Sequence, residues 1–345
     1  MLVLLLLLAC WDALPSGAEP YVLATTSRLT TADGATIALH HHPAPGPPVL
    51  LVHGISSNHR YFDLDEDHNL ASWLAARGHD VWMLDLRGHG DALYGGAGRG
   101  DQTRQFTGWT VDDYGVYDVD AAIRYIQAVT GAPQVDYVGH SMGGMVGAIY
   151  AVKHGEDALG AMVALGSPGS FSREDQHVGL AATGMAVGGG SLLWVETPAL
   201  GAMAADLKGV LPRRMAELLY NPANYAPATV DAMLRRIASP LARSEMQHFA
   251  RMLRDERFES WDRSVDYAAA MRSLTVPLLV IGSDGDHVVS TRAARALCDA
   301  VGGEHAFFLA SGGAVAHDYG HLDYALGEHA SEELFPRIEA WLRRR

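Results

Sequence analysis

The sequence predicts an α/β protein with a mostly parallel central sheet, helices on both faces of that sheet and an inserted helical cap. Short aliphatic runs alternate with longer helical patterns from Tyr21 to Leu309, as in a sheet wound with crossover helices. Several of these runs are apolar throughout, which is typical of strands buried on both faces. The alternation stops between Gly169 and Thr275, where helix-forming residues dominate and predict the insertion.

Each predicted strand is a short run rich in aliphatic residues, and the set comprises Ala35–His40, Val49–Val52, Val81–Leu84, Val135–Val138, Ala161–Leu165, Leu278–Ile281 and His305–Leu309. The clearest helical patterns lie between or after these strands, at Leu70–Arg77, Val116–Val129, Met142–Lys153 and Ala330–Leu342. We therefore expect a core formed by residues 21–169 and 275–345. The cap is expected at residues 170–274, spliced between two strands of the sheet.

Composition excludes several classes of protein. The chain has 345 residues, 48% hydrophobic and 19% charged, so it can bury enough surface to fold, as a disordered chain cannot. The net charge is −14 and no basic stripe is present, which argues against a nucleic-acid partner. The only cysteines are Cys10 and Cys298, too few for a disulfide scaffold. We expect Cys298 to be buried on an apolar helix face.

The first residues predict a leader. Leu2–Ala9 is an apolar run of the length of a signal peptide and too short to span a bilayer, so we expect residues 1–20 to be a signal peptide or lipoprotein-type leader. Cys10 closes a segment similar to a lipoprotein cleavage box, and a lipidated Cys10 would attach the protein to a membrane surface. The alternative cut lies near Ala13–Ala18. Export is the expectation, whether periplasmic, secreted or lipid-anchored; because no basic residue precedes the run, a cytoplasmic protein remains the alternative.

The strongest chemical motif is a buried strand that leads into Gly-His-Ser-Met-Gly and then into a helix of small residues. A serine at such a strand-to-helix turn adopts a cramped positive-φ conformation that leaves its hydroxyl exposed. Gly139 and Gly143 leave room for this turn. The first N–H groups of the helix point at the site and favour developing negative charge. The motif predicts that Ser141 is a nucleophile.

A serine hydroxyl needs a base, and the base needs an acid that orients it. Asp284 and Asp286 both follow the predicted strand at Leu278–Ile281, and in an extended segment only one of them can meet an imidazole. We favour Asp286, with Asp284 as the alternative. Among the histidines we favour His321 over His317 and His287, because it follows a glycine in the loop before the final helix.

The loop after Val49–Val52 predicts the oxyanion hole. Backbone N–H groups must already point at the oxyanion that acyl transfer creates, and the candidates are those of Ile55 and Met142. Gly54 gives them room. His53 could be mistaken for a base, but we expect it to brace the loop by hydrogen bonds.

These segments together resemble the α/β-hydrolase superfamily. The resemblance rests on residues 50–54, 74–82, 85–88, 117–143 and 319–324, and it is similar to the acid-lipase branch, whereas Met142-Gly143-Gly144 is more like the monoglyceride-lipase and esterase pattern. It implies an α/β-hydrolase fold, a triad of Ser141, Asp286 and His321, and a serine hydrolase that cleaves carboxylic esters, commonly lipidic ones. The cap resembles nothing recognisable.

The expected function is hydrolysis of a small-molecule or lipidic ester, without a cofactor or a metal ion. An amidase, a peptidase or an acyltransferase with the same triad is the alternative, and a non-catalytic binding protein is a weaker one. His40-His41-His42 invites a metal-binding interpretation. Consecutive strand residues point to alternate faces, so these three side chains cannot converge on one ion.

Overall fold

The computed structural model describes residues 24–93, 108–171, 194–195 and 217–344. The predicted leader and much of the predicted cap lie outside these residues. The strands of the described chain are β1 Thr25–Thr30, β2 Thr36–His42, β3 Pro48–Val52, β4 Asp80–Asp85, β5 Val135–His140, β6 Leu159–Leu165, β7 Trp194–Val195, β8 Leu241–Ala242, β9 Leu278–Gly282 and β10 His305–Leu309. The structure confirms every predicted strand, with bounds shifted by at most two residues.

Eight of these strands form one mostly parallel sheet in the order β1-β2-β4-β3-β5-β6-β9-β10. β1 pairs antiparallel with β2, and β2 pairs antiparallel with β4, while the remaining pairs are parallel. The central strands β3, β4 and β5 are buried at every residue, as expected for strands covered on both faces. The parallel arrangement brings the loops after β3, β5 and β9 to one edge of the sheet.

Helices cover both faces of the sheet, and each face carries its own apolar cluster. The helices of the described chain are α1 Leu70–Ala75, α2 Gly90–Leu93, α3 Val111–Asp113, α4 Asp120–Thr130, α5 Met142–His154, α6 Pro227–Arg236, α7 Arg243–Asp255, α8 Tyr267–Ala270, α9 Thr291–Ala300, α10 Asp323–Leu326, α11 Ala330–Glu333 and α12 Phe335–Leu342. Cys298 is buried on α9 as expected, and burial raises the pKa of its thiol to about 11.

Three local features differ from the sequence expectations. The edge strand β1 was not predicted, because its mostly polar residues alternate in exposure and form no apolar run. The predicted helix at Val116–Val129 begins earlier, with a π-helical segment at Tyr114–Val119 that continues into α4. The predicted final helix is divided into α11 and α12, because the second begins with a proline in its first turn, where a missing N–H is tolerated.

The inserted segment, here residues 217–274, lies between β6 and β9 and contains α6, α7 and α8. It also contains β8, which pairs with β7 and was not expected in a helical cap. The full extent predicted for the cap, 170–274, stays a prediction because residues 172–193 and 196–216 are outside the description. Over the described residues, no helix combines the length and the apolar character needed to cross a bilayer.

Candidate active site

Ser141 occupies the turn between β5 and α5. Its backbone has φ +51° and ψ −119°, a left-handed conformation that non-glycine residues rarely adopt. A side chain on Gly143 would collide with the carbonyl oxygen of Val52, and one on Gly139 would collide with the backbone of Gly143. The two glycines are therefore required for space, because the turn packs directly against the neighbouring strand.

A line of hydrogen bonds runs from Ser141 through His321 to Asp286. The Ser141 Oγ is 2.9 Å from His321 Nε2, and His321 Nδ1 is 2.9 Å from Asp286 Oδ2. All three side chains are buried. With the Nδ1 proton donated to the carboxylate, Nε2 carries the lone pair and accepts the serine hydroxyl. This is the geometry that general-base activation of a serine requires.

Asp286, and not Asp284, lies against His321. The turn after β9 lets Asp286 Oδ1 accept the N–H groups of Val288 and Val289, both at 2.9 Å, while its other oxygen faces the imidazole. Asp284 is exposed and accepts the Thr291 hydroxyl at 2.6 Å. The carboxylate chosen on alternation alone is thus the one that the turn directs into the site.

The loop after β10 delivers His321, and a second histidine holds it. His140 donates from Nε2 to the His321 carbonyl oxygen at 2.9 Å, and its ring stacks on Tyr61 with centroids 4.0 Å apart. Burial, together with the nearby His321, lowers the pKa of His140 well below its ordinary value, so His140 stays neutral. His317 is elsewhere, with Nδ1 3.1 Å from a Glu333 oxygen.

The loop after β3 passes directly over the serine. A Cβ on Gly54 would lie 3.0 Å from Ser141 Cβ, so glycine permits this approach. His53 donates from Nδ1 to the Gly54 carbonyl at 2.8 Å and accepts the Leu86 N–H on Nε2 at 3.3 Å. Burial lowers the pKa of His53 to about 4, which suits a neutral ring with one donor and one acceptor nitrogen.

The two N–H groups proposed for the oxyanion flank this approach. Ile55 follows Gly54 in the loop, and Met142 is the first residue of α5. The first N–H groups of a helix have no partner within the helix, so the Met142 N–H is available to an acceptor. The arrangement provides a hydroxyl, a base and a helix N-terminus at one edge of the sheet.

The sequence analysis missed one side chain of this site. The Tyr324 hydroxyl donates to Asp286 Oδ2 at 3.1 Å, the same oxygen that accepts His321 Nδ1. Tyr324 is fully buried, and a side chain on Gly166 would collide with its ring. Its position three residues after His321, at the start of a short helix, was the available signal, because that spacing returns a helical side chain towards the same neighbourhood.

The histidine run divides among three carboxylates. His41 Nε2 is 2.7 Å from Asp80, while His42 Nε2 is 3.3 Å from Asp63. His40 Nε2 is 2.9 Å from Asp85. The run therefore does not converge on one point, in agreement with the alternation argument. His40 does, however, belong to the group of potential metal ligands that the described residues contain, together with His59, Asp85 and Asp91.

Residues 47–325 match the family model of the alpha/beta hydrolase fold, and the chain belongs to this family. It is 32% identical to Lipase 1 of Drosophila melanogaster over 117 residues, which is 33% of this chain and 26% of that protein. It is 35% identical to gastric triacylglycerol lipase of Homo sapiens over 107 residues, 30% of this chain and 26% of that protein. The matched segments span about a quarter of each of these two relatives.

A solved structure agrees on the fold over nearly the whole chain. An esterase from Exiguobacterium antarcticum superimposes with a TM-score of 0.61, covering 92% of this chain and 99% of that one. The sequences are 18% identical, so the likeness concerns the fold. The predicted α/β-hydrolase fold is confirmed.

Proposed function

We propose that this protein hydrolyses carboxylic esters through an acyl-enzyme on Ser141. The observation that carries the proposal is the line from Ser141 Oγ through His321 to Asp286, with both hydrogen bonds at 2.9 Å. The position of Ser141 at a strained turn before a helix adds the second requirement, an N–H group directed at the reacting carbonyl. The names of its relatives, lipases and an esterase, support the same reaction.

In the proposed mechanism, His321 Nε2 takes the proton of Ser141 as Oγ attacks the carbonyl carbon of the ester. The Ile55 and Met142 N–H groups hold the resulting oxyanion, and Asp286 stabilises the imidazolium. When the tetrahedral intermediate collapses, His321 protonates the departing alcohol and the acyl-enzyme remains. His321 then deprotonates a water molecule that attacks the acyl carbon, which releases the acid and restores the Ser141 hydroxyl.

We propose an acyl ester with a lipidic chain as the substrate class. Two of the matched relatives are named as a lipase and a triacylglycerol lipase. The net charge of −14 also favours a neutral ester over an anionic one. The length of the preferred chain depends on the cap and is a quantity to be measured.

The test is a panel of p-nitrophenyl esters of graded acyl length, assayed with the wild-type protein and Ser141→Ala. We expect ester hydrolysis in the wild type and its loss in the variant, with the preference rising beyond acetate if the substrate is lipidic. Labelling with a fluorophosphonate probe supplies an independent readout, and it should modify Ser141 only. A folded wild-type protein that neither reacts with the probe nor cleaves any ester would instead favour a binding protein.

Two further arms separate the alternatives that use the same residues. Matched p-nitroanilides test amide cleavage, and faster turnover of the anilide than of the ester would identify an amidase. Product analysis with and without an added alcohol tests acyl transfer. Predominant formation of a new ester in water would identify an acyltransferase.

The leader at residues 1–20 stays a prediction, and we propose export on the apolar run Leu2–Ala9. Mass spectrometry of the N-terminus of protein recovered from the expressing host tests this proposal. A chain that begins at lipidated Cys10 would indicate membrane anchoring, and one that begins near Ala13–Ala18 would indicate a soluble exported protein. An intact chain inside the cell would favour the cytoplasmic alternative.

A further inference from the structure

Four potential metal ligands meet away from Ser141, behind the loop that carries Ile55. His40 lies on β2, His59 begins a 3-10 turn after that loop, Asp85 ends β4 and Asp91 lies in α2. One ligand atom from each lies within 4.8 Å of every other. His40, His59 and Asp85 are buried, whereas the Asp91 side chain is 47% exposed and gives solvent access to the group.

The spacing of these atoms is close to that of a tetrahedral site. Asp85 Oδ2 is 2.9 Å from His40 Nε2 and 2.8 Å from His59 Nδ1, while Asp91 Oδ2 is 3.8 Å from His40 Nε2. Ligands about 2.0–2.1 Å from a tetrahedral Zn²⁺ lie about 3.3 Å from one another. The observed separations fall on both sides of that value, so movements of a few tenths of an ångström would admit an ion.

The two imidazoles are held ready for this geometry. The rings of His40 and His59 stack with centroids 3.6 Å apart and planes 22° apart, and each directs one nitrogen at the same Asp85 oxygen. The other nitrogen of His40 is 3.0 Å from the Thr26 hydroxyl. A hydroxyl can donate or accept, so it can receive the Nδ1 proton when Nε2 binds a metal.

The charges also point to a cation. Asp85 is completely buried, and within the described chain its ion-pair partners are histidines, with no arginine or lysine among them. A buried carboxylate requires a positive partner. Two carboxylates and two neutral imidazoles together balance one divalent ion. The mixed nitrogen and oxygen ligands favour Zn²⁺ over Mg²⁺ or Ca²⁺, which prefer oxygen alone.

We propose that His40, His59, Asp85 and Asp91 form a zinc site. It goes beyond the proposed esterase activity and departs from the sequence analysis, which expected no metal. Its place in the fold assigns it a structural role. Asn58, next to His59, donates to the Arg236 carbonyl at 3.0 Å, and the Gly90 N–H, next to Asp91, donates to the Ser239 hydroxyl at 3.1 Å. An ion there ties the sheet to the inserted segment beneath the Ile55 loop.

Isothermal titration of chelator-treated full-length protein with Zn²⁺ tests the proposal. We expect one ion per chain and a rise in Tm of about 5 °C at saturating Zn²⁺. Asp91→Asn is the first variant, because its exposed side chain can change without disturbing the core. It should weaken Zn²⁺ binding at least about tenfold, since loss of even an outer-shell partner has that effect.

His41→Gln is the matched control, since it removes a histidine from the same strand whose side chain pairs with Asp80. It should leave Zn²⁺ affinity unchanged, while His40→Gln should abolish binding. Co²⁺ substitution adds a spectroscopic readout, because intense visible bands identify a four-coordinate ion. Absence of Zn²⁺ binding to folded wild-type protein, or binding that both Asp91→Asn and His40→Gln retain, would overturn the proposal.

Discussion

Two regions of this protein contain the same line of functional groups. At one, Ser141, His321 and Asp286 are joined by hydrogen bonds of 2.9 Å each. At the other, the Thr26 hydroxyl is 3.0 Å from His40 Nδ1, and His40 Nε2 is 2.9 Å from Asp85. A hydroxyl, an imidazole and a carboxylate therefore occur in sequence at both places, although we assign catalysis to one of them.

The surroundings of the hydroxyl separate the two regions. Ser141 is in a strained turn at the start of a 13-residue helix, where N–H groups lack partners within the helix. Thr26 is in the edge strand β1, paired in register with His40 of β2, so its surrounding N–H groups belong to a sheet ladder. The comparison teaches that hydrogen-bonded groups alone do not make a nucleophile, because a place for the oxyanion is needed as well.

The carboxylates are alike in their donors and differ in their imidazoles. Asp286 accepts two backbone N–H groups, one imidazole and one phenol. Asp85 accepts two backbone N–H groups and two imidazoles. Burial alone would raise the pKa of Asp85, but His59 and His40 outweigh it and hold that pKa well below its ordinary value.

The largest expected effect tests the hydroxyls. Ser141→Ala should lower kcat/KM for p-nitrophenyl esters by about 10⁴-fold or more, because the nucleophile is lost. Thr26→Ala should leave it within about twofold, because an exposed edge-strand hydroxyl takes no part in the reaction. Steady-state kinetics on samples with matched circular dichroism provide the measurement. Equal losses in the two variants would contradict our distinction between the regions.

The carboxylates give the next largest effect. Asp286→Asn should lower kcat by about 10³–10⁴-fold with little change in Tm, because an amide cannot stabilise the imidazolium. Asp85→Asn should instead lower the free energy of unfolding by about 2–3 kcal/mol, because the amide leaves buried donors without a matching acceptor. Urea denaturation and kinetics on both variants decide this prediction. It fails if folded Asp85→Asn loses as much kcat as Asp286→Asn.

A third buried carboxyl group sharpens the comparison, because no imidazole is within hydrogen-bond distance of it. Burial raises the pKa of Glu245 to about 8, and the nearest imidazole nitrogen, His89 Nε2, is 3.9 Å away. The unfolded chain loses this proton above the ordinary pKa of 4.5, while the folded chain keeps it until about 8. Stability should therefore fall as pH rises through this window, by about 1.4 kcal/mol per pH unit from this group.

Glu245→Gln isolates that contribution. The variant should lose less stability than wild type between pH 5 and pH 8, and the difference should reach about 4 kcal/mol. Urea denaturation across that pH range is the measurement, and other titrating groups cancel because both proteins share them. Parallel pH profiles for the two proteins would show that Glu245 ionises normally in the folded state.

The smallest expected effect concerns the phenol at Asp286. Tyr324→Phe removes one donor from the oxygen that holds His321, which leaves the carboxylate a stronger partner for the imidazolium. The acidic limb of kcat/KM against pH should therefore move upward by about half a pH unit, with kcat changed less than about threefold. Tyr319→Phe is the matched control, since its hydroxyl donates to Glu333. A shift of the same size in both variants would assign it to general packing.

Local pattern predicted much of the fold and of the candidate site. The buried runs predicted the strands because strands covered on both faces need apolar residues at every position. The Gly-His-Ser-Met-Gly turn predicted the position of Ser141 because a tight elbow requires glycines at fixed offsets. β1 escaped prediction because half of an edge strand faces water. His59 escaped because a single histidine in a polar loop has no periodicity that distinguishes it.

The sequence by itself determined the α/β class, the elbow at Ser141 and the order in which an acid and a histidine follow it. Tertiary structure decided which groups meet: Asp286 rather than Asp284 against His321, Tyr324 on the same carboxylate, and His40 with His59. The physical reason is that backbone periodicity depends on neighbouring residues, whereas these contacts join residues 35 or more positions apart or, for His40 and His59, bring together two elements separated by a strand and a loop. Their distances are set by strand order and loop path, which no local pattern records.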